Sequence, residues 1–441
     1  MSISRLRKVI ANQSAKLAVI GLGYVGLPVA ALFSENGFDV LGVDVKPERV
    51  EKINSGVSPI EGNEPGLNEL IATVLETRKL KATTDYQELG DRDIILIDVE
   101  TPVDEHHIPQ YDALRSVLTD LRRVMKPGVL IIVESTIAPG TMNSLVKPYL
   151  EKGGLKINQD FFLGNCPERV MPGKLLTNLE TLSRVVGGAT PETAHLMVSL
   201  YQNIVKADLD PVDMITAELV KTVENTYRDV QIAFANEVAL ISEALGADVW
   251  KVRELVNKSP YRNMHLPGAG VGGHCIPKDP WLLAYGVRDK EIDLKLIPAA
   301  RWINDHMPLH LAKMLENAFK ANHINTIGSK VLVLGYAYLE NSDDTRNSPS
   351  QTLVLLLRNR GVEVKVHDPW VAEFQGDLYD LASGCDAIII MVKHSEYFDM
   401  DWKRIRKLVR NPIIVDGRNM DLNHLKQDYE VFCVGKSYID Q

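Results

Sequence analysis

Cysteine is scarce in this chain of 441 residues, which contains only four: Cys166, Cys275, Cys385 and Cys433. They lie far apart, and no Cys-x-x-Cys pair or ladder of cysteines and histidines indicates a disulfide framework or a zinc site. His274, next to Cys275, has no second ligand at metal spacing, so we expect no metal. This cysteine usage fits a reducing cytoplasm.

A surplus of positive charge is also absent, since 49 lysines and arginines face 58 acidic residues and the formal net charge is -9. The composition therefore argues against nucleic acid or an anionic membrane as a partner, and any anionic ligand needs a local site. Low-complexity linkers and short repeats are missing too. With 45% hydrophobic residues at this length, the chain is expected to be globular with two or three domains.

One long uncharged stretch is present, "LAVIGLGYVGLPVAALF" at residues 17–33, directly after a basic segment. By itself it resembles a signal peptide or a short membrane span. Its glycines favour another interpretation, because Gly21, Gly23 and Gly26 form G-x-G-x-x-G between a strand-like and a helix-like segment. A second strand-like segment, "FDVLGVDV", then ends at Asp44.

This order of strand, glycine turn, helix, strand and acid predicts a dinucleotide site. The glycines let the backbone approach a pyrophosphate at a helix N-terminus, and the acid binds the adenosine ribose. A carboxylate at position 44 repels a 2'-phosphate, so Asp44 favours NAD over NADP, and Lys46 weakens that preference. We expect NAD as the cofactor.

Three stretches of organisation follow from the alternation of elements. Residues 1–209 predict an NAD-binding domain with a doubly wound parallel sheet, continued by "DIILIDVET", "GVLIIVEST" and "LSRVVGG". Residues 210–320 predict a central helical domain whose first helix begins with Asp210 as N-cap and Pro211 as first residue, and ends at Gly246. That helix is expected to be a long spine joining two domains or two subunits.

Residues 321–441 predict a second Rossmann-like domain, from "SKVLVLGYAY" through "VEVKVHDP" and "CDAIIIMVKH" to "PIIVDGRN". The phosphate turn G-x-G-x-x-G is absent here, which favours a different nucleotide-like ligand. The predicted fold class is therefore α/β, with two doubly wound Rossmann-like domains joined by a helical central domain.

Cys275 lies in "GAGVGGHCIPKDPW", and a thiol next to a nicotinamide suggests a covalent intermediate in aldehyde oxidation. An aldehyde carbon must add a nucleophile before it can release a second hydride. A thiolate adds to give a thiohemiacetal and then a thioester, which water hydrolyses. Lys278 is the cation near in sequence that would favour the thiolate. A turn with an incidental thiol remains the alternative.

Other polar residues occur at suggestive positions. Lys221 and Asn225 are four residues apart on the predicted long helix, so they share a face and can stabilise one oxyanion, although an exposed polar face looks the same in sequence. Asp279 can orient Lys221 or a water, or cap a helix. Thr136 follows an apolar strand, where open sheets place ligands. Glu168 is a candidate general base in "NCPERVMPGK", or part of a solvated turn with Arg169.

Together these stretches resemble the UDP-glucose/UDP-N-acetylmannosamine dehydrogenase family over essentially the whole chain. The matching segments are "GLGYVGLPVA", "ESTIAPGT", "NCPERVMPGK", "ENTYRDVQIAFANE", "GVGGHCIPKDPW", "DDTRNSP" and "DGRN", in family order. The resemblance implies an NAD-dependent four-electron oxidation of a sugar-nucleotide C6 alcohol to a carboxylate, with two NAD and one water consumed. It also implies a homodimer, or a higher homo-oligomer, formed through the central helix.

The resemblance also implies roles for individual residues. Cys275 is similar to the family's nucleophile, Lys221 and Asn225 to its oxyanion-stabilising groups, and Asp279 to the assisting carboxylate. Glu168 resembles the acid/base residue. The implied coenzyme residues are Gly21, Gly23, Tyr24, Val25, Gly26, Asp44, Thr101 and the water-positioning Thr136. The implied substrate residues are Glu168, Arg169, Lys221, Asn225, Arg228, His274, Arg346 and Arg418, the last with a reach that can extend to a neighbouring subunit.

Within the family, "GVGGHCIPKDPW" and "CPERVMPG" resemble the branch that acts on N-acetylhexosamines, chiefly UDP-N-acetylmannosamine, to supply an acidic aminosugar for surface glycans. One departure is clear, because Leu339 stands where relatives commonly have a substrate-contacting lysine. The alternatives are the same chemistry on UDP-N-acetylglucosamine or UDP-glucose, a two-electron alcohol dehydrogenase, and a non-enzymatic nucleotide-binding protein.

Overall fold

The computed structural model describes residues 2–60, 62, 64–152, 154–425 and 427–437, and the chain forms two compact units. The first unit comprises Met1–Glu224 and Trp281–Ile292, and the second comprises Asn225–Pro280 and Asp293–Gln441. Each unit contains one sheet. The sequence-based division at residues 209 and 320 stays a prediction.

The sheet of the first unit has eight strands in the order β3-β2-β1-β4-β5-β6-β7-β8. The strands are β1 (Lys16–Ile20), β2 (Asp39–Val43), β3 (Leu80–Thr83), β4 (Ile94–Ile97), β5 (Val129–Val133), β6 (Phe161–Asn165), β7 (Arg184–Gly188) and β8 (Leu209–Asp213). The helices are α1 (Ile3–Ala11), α2 (Gly26–Glu35), α3 (Pro47–Asn54), α4 (Leu67–Glu76), α5 (Asp112–Val124), α6 (Lys147–Glu151), α7 (Leu175–Thr181) and α8 (Pro191–Tyr201).

Strand alternation buries both faces of this sheet. Leu17 and Val19 point into a core shared with α2 and α8, whereas Ala18 and Ile20 point into a core shared with α5. A sheet covered by helices on both faces is the doubly wound arrangement that the sequence predicts. The uncharged stretch at residues 17–33 is thus β1, the glycine turn and most of α2. In the part of the chain that the structure describes, we find no helix with both the length and the apolar character to cross a bilayer.

Two predictions about the end of this unit are wrong. The strand in "LSRVVGG" exists, but β7 runs antiparallel to β6 instead of parallel, because the segment between them stays at the carboxyl edge of β6. Asp210 and Pro211 are not a helix start: they lie in β8, which pairs with β7 at the sheet edge. An edge strand tolerates proline because one side of its backbone needs no ladder partner.

The long central helix α9 (Met214–Leu245) begins later than predicted and has 32 residues. Asp213 stabilises its start, since its carboxylate accepts hydrogen bonds from the Thr216 backbone N–H and hydroxyl at 3.0 and 2.8 Å. The predicted stop is confirmed, because Gly246 follows the helix with a φ of 79°. At about 1.5 Å per residue the helix extends roughly 48 Å, and the boundary between the two units falls at residue 224 within it.

The second unit contains a five-stranded parallel sheet in the order β10-β9-β11-β12-β13. The strands are β9 (Lys330–Leu334), β10 (Glu363–His367), β11 (Ala387–Ile390), β12 (Ile413–Asp416) and β13 (Glu430–Cys433). The further helices of the chain are α10 (Val249–Val256), α11 (Asp279–Tyr285), α12 (Leu296–Ala321), α13 (Pro349–Asn359), α14 (Leu378–Ala382) and α15 (Trp402–Leu408).

Both faces of this second sheet are covered as well. Val331 and Val333 pack with α12 and α13, and Leu332 and Leu334 pack with α15. The predicted second Rossmann-like sheet is confirmed.

Candidate active site

The glycine turn after β1 has the geometry of a dinucleotide phosphate site. Gly21 has a φ of 94°, and a Cβ there would lie 2.5 Å from the Asp98 carbonyl oxygen. A Cβ on Gly26 would lie 2.0 Å from the Gly21 carbonyl oxygen, whereas a Cβ on Gly23 would face open space. The first and third positions therefore exclude side chains, and the second leaves room for a pyrophosphate to approach the N-terminus of α2. These residues fit a bound NAD.

Asp44, directly after β2, is 4% exposed and tightly held. Its Oδ2 accepts hydrogen bonds from the Leu22 N–H at 2.9 Å and from Arg49 Nη1 at 2.8 Å. Lys46 contributes its backbone N–H to Oδ1 at 3.0 Å. The cation that forms an ion pair with Asp44 is thus Arg49, which the sequence analysis did not single out.

Replacing Asp44 by asparagine should raise the affinity for NADP relative to NAD. The substitution removes the charge that repels a 2'-phosphate and leaves the Arg49 guanidinium able to bind it. We expect the ratio of the two dissociation constants to shift by at least about tenfold, which corresponds to roughly 1.4 kcal/mol. Binding titrations with both coenzymes measure this ratio. Asp39→Asn, at the exposed start of β2, is the matched control, and an unchanged ratio in Asp44→Asn would contradict the role of Arg49.

Hydroxyl groups lie where β4 and β5 end. The Thr101 hydroxyl donates to the Thr136 carbonyl oxygen at 2.6 Å, and the Ser135 hydroxyl donates to the Val99 carbonyl oxygen at 2.6 Å. Because neighbouring parallel strands end at one edge, these residues lie at the carboxyl edge, where open α/β sheets bind ligands. The structure thus brings together Thr101 and Thr136, two of the predicted coenzyme residues.

Tyr24 and Val25 lie inside the glycine turn, just before α2. The Tyr24 hydroxyl donates to the Glu64 carboxylate, which also accepts the backbone N–H groups of Gly173 and Leu175 at 2.8 and 3.1 Å. Glu64 therefore connects the coenzyme turn to the segment that follows Glu168. Sequence reasoning did not find Glu64, because the segments that it connects are more than 100 residues apart.

Lys221 and Glu168 form a buried pair in the first unit. Lys221 is 7% exposed and Glu168 is 9% exposed. The Lys221 ammonium donates to the Glu168 carbonyl oxygen at 2.6 Å and lies 3.8 Å from its carboxylate. An ammonium held beside a carboxylate away from water can stabilise a developing oxyanion while the carboxylate moves a proton.

Arg169 holds the same segment in place. Its Nε donates to Glu224 on α9 at 2.9 Å, and its Nη1 donates to the Ser183 hydroxyl at 3.0 Å. These contacts hold the segment that carries Glu168 against α9, the helix that carries Lys221.

Glu218, one turn before Lys221 on α9, was missed by the sequence analysis. Its carboxylate is 1% exposed and accepts the backbone N–H groups of Gly140 and Met142 at 2.8 and 2.7 Å. It therefore fixes the loop that follows Thr136. Burial raises the pKa of Glu218 to about 7, against the hydrogen bonds that favour its ionised form.

The free energy of unfolding should fall as the pH rises from about 4.5 to about 7, because of Glu218. In that window the folded state keeps a proton that the unfolded state has lost, so a rising pH favours unfolding. Glu218→Gln cannot titrate and should remove this part of the slope in urea unfolding at a series of pH values. Glu48→Gln, at the exposed start of α3, should keep the wild-type slope. An unchanged slope in Glu218→Gln would contradict the assignment.

In the second unit, Cys275 lies in a turn just before α11. Cys275 forms no disulfide and is partly exposed, whereas the other three cysteines are buried. The Cys275 carbonyl oxygen accepts the N–H groups of Lys278 and Asp279 at 3.1 and 2.8 Å, which forms the first turn of that helix.

The glycines before Cys275 are required by close packing. A Cβ on Gly272 would lie 2.5 Å from the Tyr338 side chain, and one on Gly273 would lie 2.9 Å from the same ring. A Cβ on Gly268 would lie 2.9 Å from Arg418 Nη1. Because these glycines have no side chains, the segment before Cys275 packs closely against Tyr338 and Arg418, which belong to the Rossmann-like part of the same unit.

The Cys275 thiol has a positive side chain near it, but His274 is not a cation at neutral pH. Burial, with help from Lys278 and Arg346, lowers the pKa of His274 to about 4. Arg346 lies on the adjacent loop, whose carbonyl oxygen accepts the Gly273 N–H at 2.8 Å, and the Cys275 thiolate adds to the causes that raise the pKa of Arg346. The cation that favours a thiolate is therefore Arg346, and the same role for Lys278 stays a prediction.

Asn225 and Asp279 meet directly, which spacing on one helix did not reveal. The Asn225 amide donates to Asp279 Oδ2 at 2.6 Å, and Lys278 Nζ lies 3.7 Å from Oδ1. Asp279 is fully buried. Arg228, one turn after Asn225, is exposed. The predicted interaction of Asp279 with Lys221 stays a prediction.

The position that departs from the usual family pattern is on the surface. Leu339 is 39% exposed, and Tyr338, before it, is held by its N–H to the Asp344 carbonyl oxygen at 3.0 Å. Burial lowers the pKa of Arg418, and the carboxylate of Glu340, which follows Leu339, opposes this shift. An acid near Arg418, one of the predicted substrate residues, thus follows Leu339 directly.

Family models match almost the whole chain. Residues 15–205 match the NAD binding domain of the UDP-glucose/GDP-mannose dehydrogenase family, residues 215–306 its central domain, and residues 332–421 its UDP binding domain.

Curated relatives cover most of the chain as well. The UDP-N-acetyl-D-mannosamine dehydrogenase of Pyrococcus horikoshii is 40% identical over 405 residues, 92% of this chain and 96% of that protein. The protein of the same name from Methanocaldococcus jannaschii is 37% identical over 431 residues, 95% of this chain and 96% of its own. The UDP-N-acetyl-D-glucosamine 6-dehydrogenase of Pseudomonas aeruginosa is 35% identical over 407 residues, 89% and 94%.

Among solved structures, the UDP-D-ManNAc dehydrogenase of Pyrococcus horikoshii superposes with a TM-score of 0.89 at 39% identity. The match covers 96% of this chain and 99% of that one.

Proposed function

The chain belongs to the UDP-glucose/GDP-mannose dehydrogenase family and is an NAD-dependent oxidoreductase of UDP-sugars, and we propose that it oxidises UDP-N-acetyl-D-mannosamine to UDP-N-acetyl-D-mannosaminuronate. The main support for this substrate is the similarity to the UDP-N-acetyl-D-mannosamine dehydrogenase of Pyrococcus horikoshii, which is 40% identical over 92% of this chain. The expectations of this family, of NAD and of the fold class are confirmed.

Two oxidations at C6 define the work of the proposed site. Bound NAD supplies the hydride acceptor for each. In the first oxidation, the Lys221 ammonium and the Asn225 amide stabilise the C6 oxygen as its proton leaves. Cys275 then adds to the aldehyde carbon to form a thiohemiacetal, and loss of the second hydride gives a thioester. Glu168 and Asp279 take protons, and a water positioned by Thr136 hydrolyses the thioester to carboxylate and free thiol.

The arrangement of contacts supports these roles. Lys221 is held beside Glu168, and Asn225 beside Asp279, so each donor is paired with a carboxylate that can accept a proton. Lys278 and Arg346 supply positive charge for the thiolate. The other residues that we propose to bind the substrate are Arg169, Arg228, His274, Arg346 and Arg418.

A homodimer formed through α9 is part of the proposal. The helix exposes large apolar side chains at regular spacing, which a second copy would cover. They are Ile215, Leu219, Val223, Tyr227, Phe234, Ile241 and Leu245. We place the enzyme in the cytoplasm, where cysteines that form no disulfide, like these four, stay reduced.

A substrate panel tests the substrate directly. Purified enzyme should release two NADH per UDP-N-acetylmannosamine and have its highest kcat/KM with that sugar. UDP-N-acetylglucosamine and UDP-glucose are the competing substrates, the first favoured by the relative from Pseudomonas aeruginosa. A higher kcat/KM with either would reject the proposed sugar and keep the reaction. A yield of one NADH would indicate a two-electron alcohol dehydrogenase, and no NADH with any sugar would favour a binding protein.

A further inference from the structure

A buried polar cluster lies beneath the coenzyme turn. Asp98 follows β4, Glu134 follows β5, Arg184 begins β7 and Tyr201 ends α8. Glu134 is 1% exposed, Arg184 2% and Tyr201 0%, whereas Asp98 is half-buried, with its Oδ2 shielded from solvent. The proposed mechanism uses none of these residues.

The contacts of Glu134 show where its charge is balanced. Its Oε1 accepts the Tyr201 hydroxyl at 2.7 Å and Arg184 Nη1 at 3.3 Å. Its Oε2 is buried and has no hydrogen-bond donor among the residues that the structure describes, and the same is true of Asp98 Oδ2. One carboxylate thus balances one guanidinium, and Asp98 is a second acid with no cation of its own.

A proton between the two carboxyl groups would supply the missing hydrogen-bond donor and remove the unbalanced negative charge. Asp98 and Glu134 directly follow Ile97 and Val133, which pair across the neighbouring strands β4 and β5, so the two acids occupy adjacent positions. Two carboxyl groups that meet there can share a hydrogen bond only when one of them is protonated. Burial and the charge of Glu134 raise the pKa of Asp98 well above its usual value, and Arg184 opposes this. Burial raises the pKa of Glu134 too, while Arg184 and Tyr201 favour its ionised form. The proton therefore belongs mainly to Asp98.

Asp98 also lies at the glycine turn itself. Its backbone N–H donates to the Ile20 carbonyl oxygen at 2.8 Å. Its Cβ lies 2.9 Å from the place where a Cβ on Gly26 would stand, which is the first residue of α2. A pyrophosphate needs the positive end of that helix. An ionised Asp98 would weaken the positive electrostatic potential at the N-terminus of α2 and would repel the phosphates.

We propose that Asp98 keeps a proton shared with Glu134, and that this proton controls coenzyme affinity by removing a negative charge beside the pyrophosphate site. The inference rests on the proposed use of NAD by this turn. Asp98 is a positioning residue in this role, since it acts on the electrostatic potential and not on the reacting carbon.

The other titratable and charged groups of the cluster do not replace this proton. Glu168, from the segment after β6, adds negative charge next to Asp98. Burial raises the pKa of the Cys166 thiol to about 12, so that thiol stays neutral. Arg184 is paired with Glu134, and Lys221 lies 3.8 Å from the Glu168 carboxylate, so each of these cations already has an acid beside it.

The test is NADH affinity as a function of pH, followed by the fluorescence of bound NADH, which needs no turnover. For the wild type, affinity should be full below the pKa of the shared proton and fall by about tenfold as the pH rises through it. Asp98→Asn is neutral at every pH and should match the wild type near neutrality while losing the alkaline decline. Asp210→Asn, exposed on β8, is the matched control and should behave as wild type. A wild-type affinity without this decline, or the same decline in Asp98→Asn, would overturn the proposal.

Tyr201→Phe provides a second, independent arm if Asp98→Asn does not fold. The substitution removes a hydrogen bond to ionised Glu134, so the acid pair should hold its proton to a higher pH, and the alkaline decline should move upward. A decline that stays in place or moves downward would contradict the shared proton. The two hypotheses fail in different ways. If Asp98→Asn keeps NAD-dependent turnover but still shows the alkaline decline, only this inference is rejected. If the enzyme oxidises no UDP-sugar, the proposed function is rejected.

Discussion

Cys275→Ala should lower the rate of acid formation by at least about a thousandfold, while NAD affinity stays that of the wild type. Without the thiol, the aldehyde carbon has no nucleophile and cannot present a second hydride. The first oxidation needs only the proposed oxyanion-stabilising groups, so the variant should release one NADH per sugar and leave an aldehyde. The NADH yield in a single turnover measures how many oxidations occur, and trapping with hydroxylamine detects the aldehyde.

Cys385→Ala is the matched control for this experiment. Cys385 lies in the same unit, is fully buried and donates its thiol to the Leu381 carbonyl oxygen at 3.2 Å. Its replacement should keep the yield of two NADH per sugar. Acid formation by Cys275→Ala at the wild-type rate would rule out the covalent route.

Arg301→Met should destabilise the protein by about 3–5 kcal/mol, because it leaves a buried carboxylate without its cation. Arg301 on α12 is 2% exposed, and its Nη1 lies 2.6 Å from the carboxylate of Asp229 on α9, which is fully buried. Asn304 adds a hydrogen bond to that carboxylate at 2.7 Å. Urea unfolding measures the loss.

The pH dependence of that loss has a defined sign. Burial raises the pKa of Asp229 and Arg301 lowers it, so removal of Arg301 should raise it further. The folded variant then keeps a proton on Asp229 to a higher pH than the unfolded chain, and its stability should fall as the pH rises. The destabilisation is thus expected to be smaller in acid than at neutral pH.

Two further variants isolate the buried charge. Asp229→Asn in the Arg301→Met background removes the unpaired carboxylate and should recover part of the stability. Lys251→Met breaks an exposed pair with Glu254, 2.8 Å apart, and should leave stability almost unchanged. If Arg301→Met and Lys251→Met lowered the free energy of unfolding equally, the buried pair would contribute no more to stability than the exposed one.

Several site residues could be predicted because their pattern is local. The glycine turn, Asp44 at the end of the next strand and the long helix each occupy a few neighbouring positions whose spacing follows from backbone geometry. The start of α9 was placed wrongly for a related reason: Asp210 and Pro211 favour a helix start locally, but pairing with β7 satisfies their backbone in a strand instead.

The sequence by itself determined the elements with short-range signals: the alternation that builds two covered sheets, the glycine turn for a dinucleotide, and the cysteine between glycines and a Lys-Asp pair. Only the tertiary structure decided which charges meet, such as Arg49 with Asp44, Glu218 with the loop after Thr136, and Asp98 with Glu134. Backbone periodicity is a property of neighbouring residues and can be read along the chain. The state of a buried charge depends on the partners and the solvent exclusion that distant segments provide once they pack, so it appears only in the folded molecule.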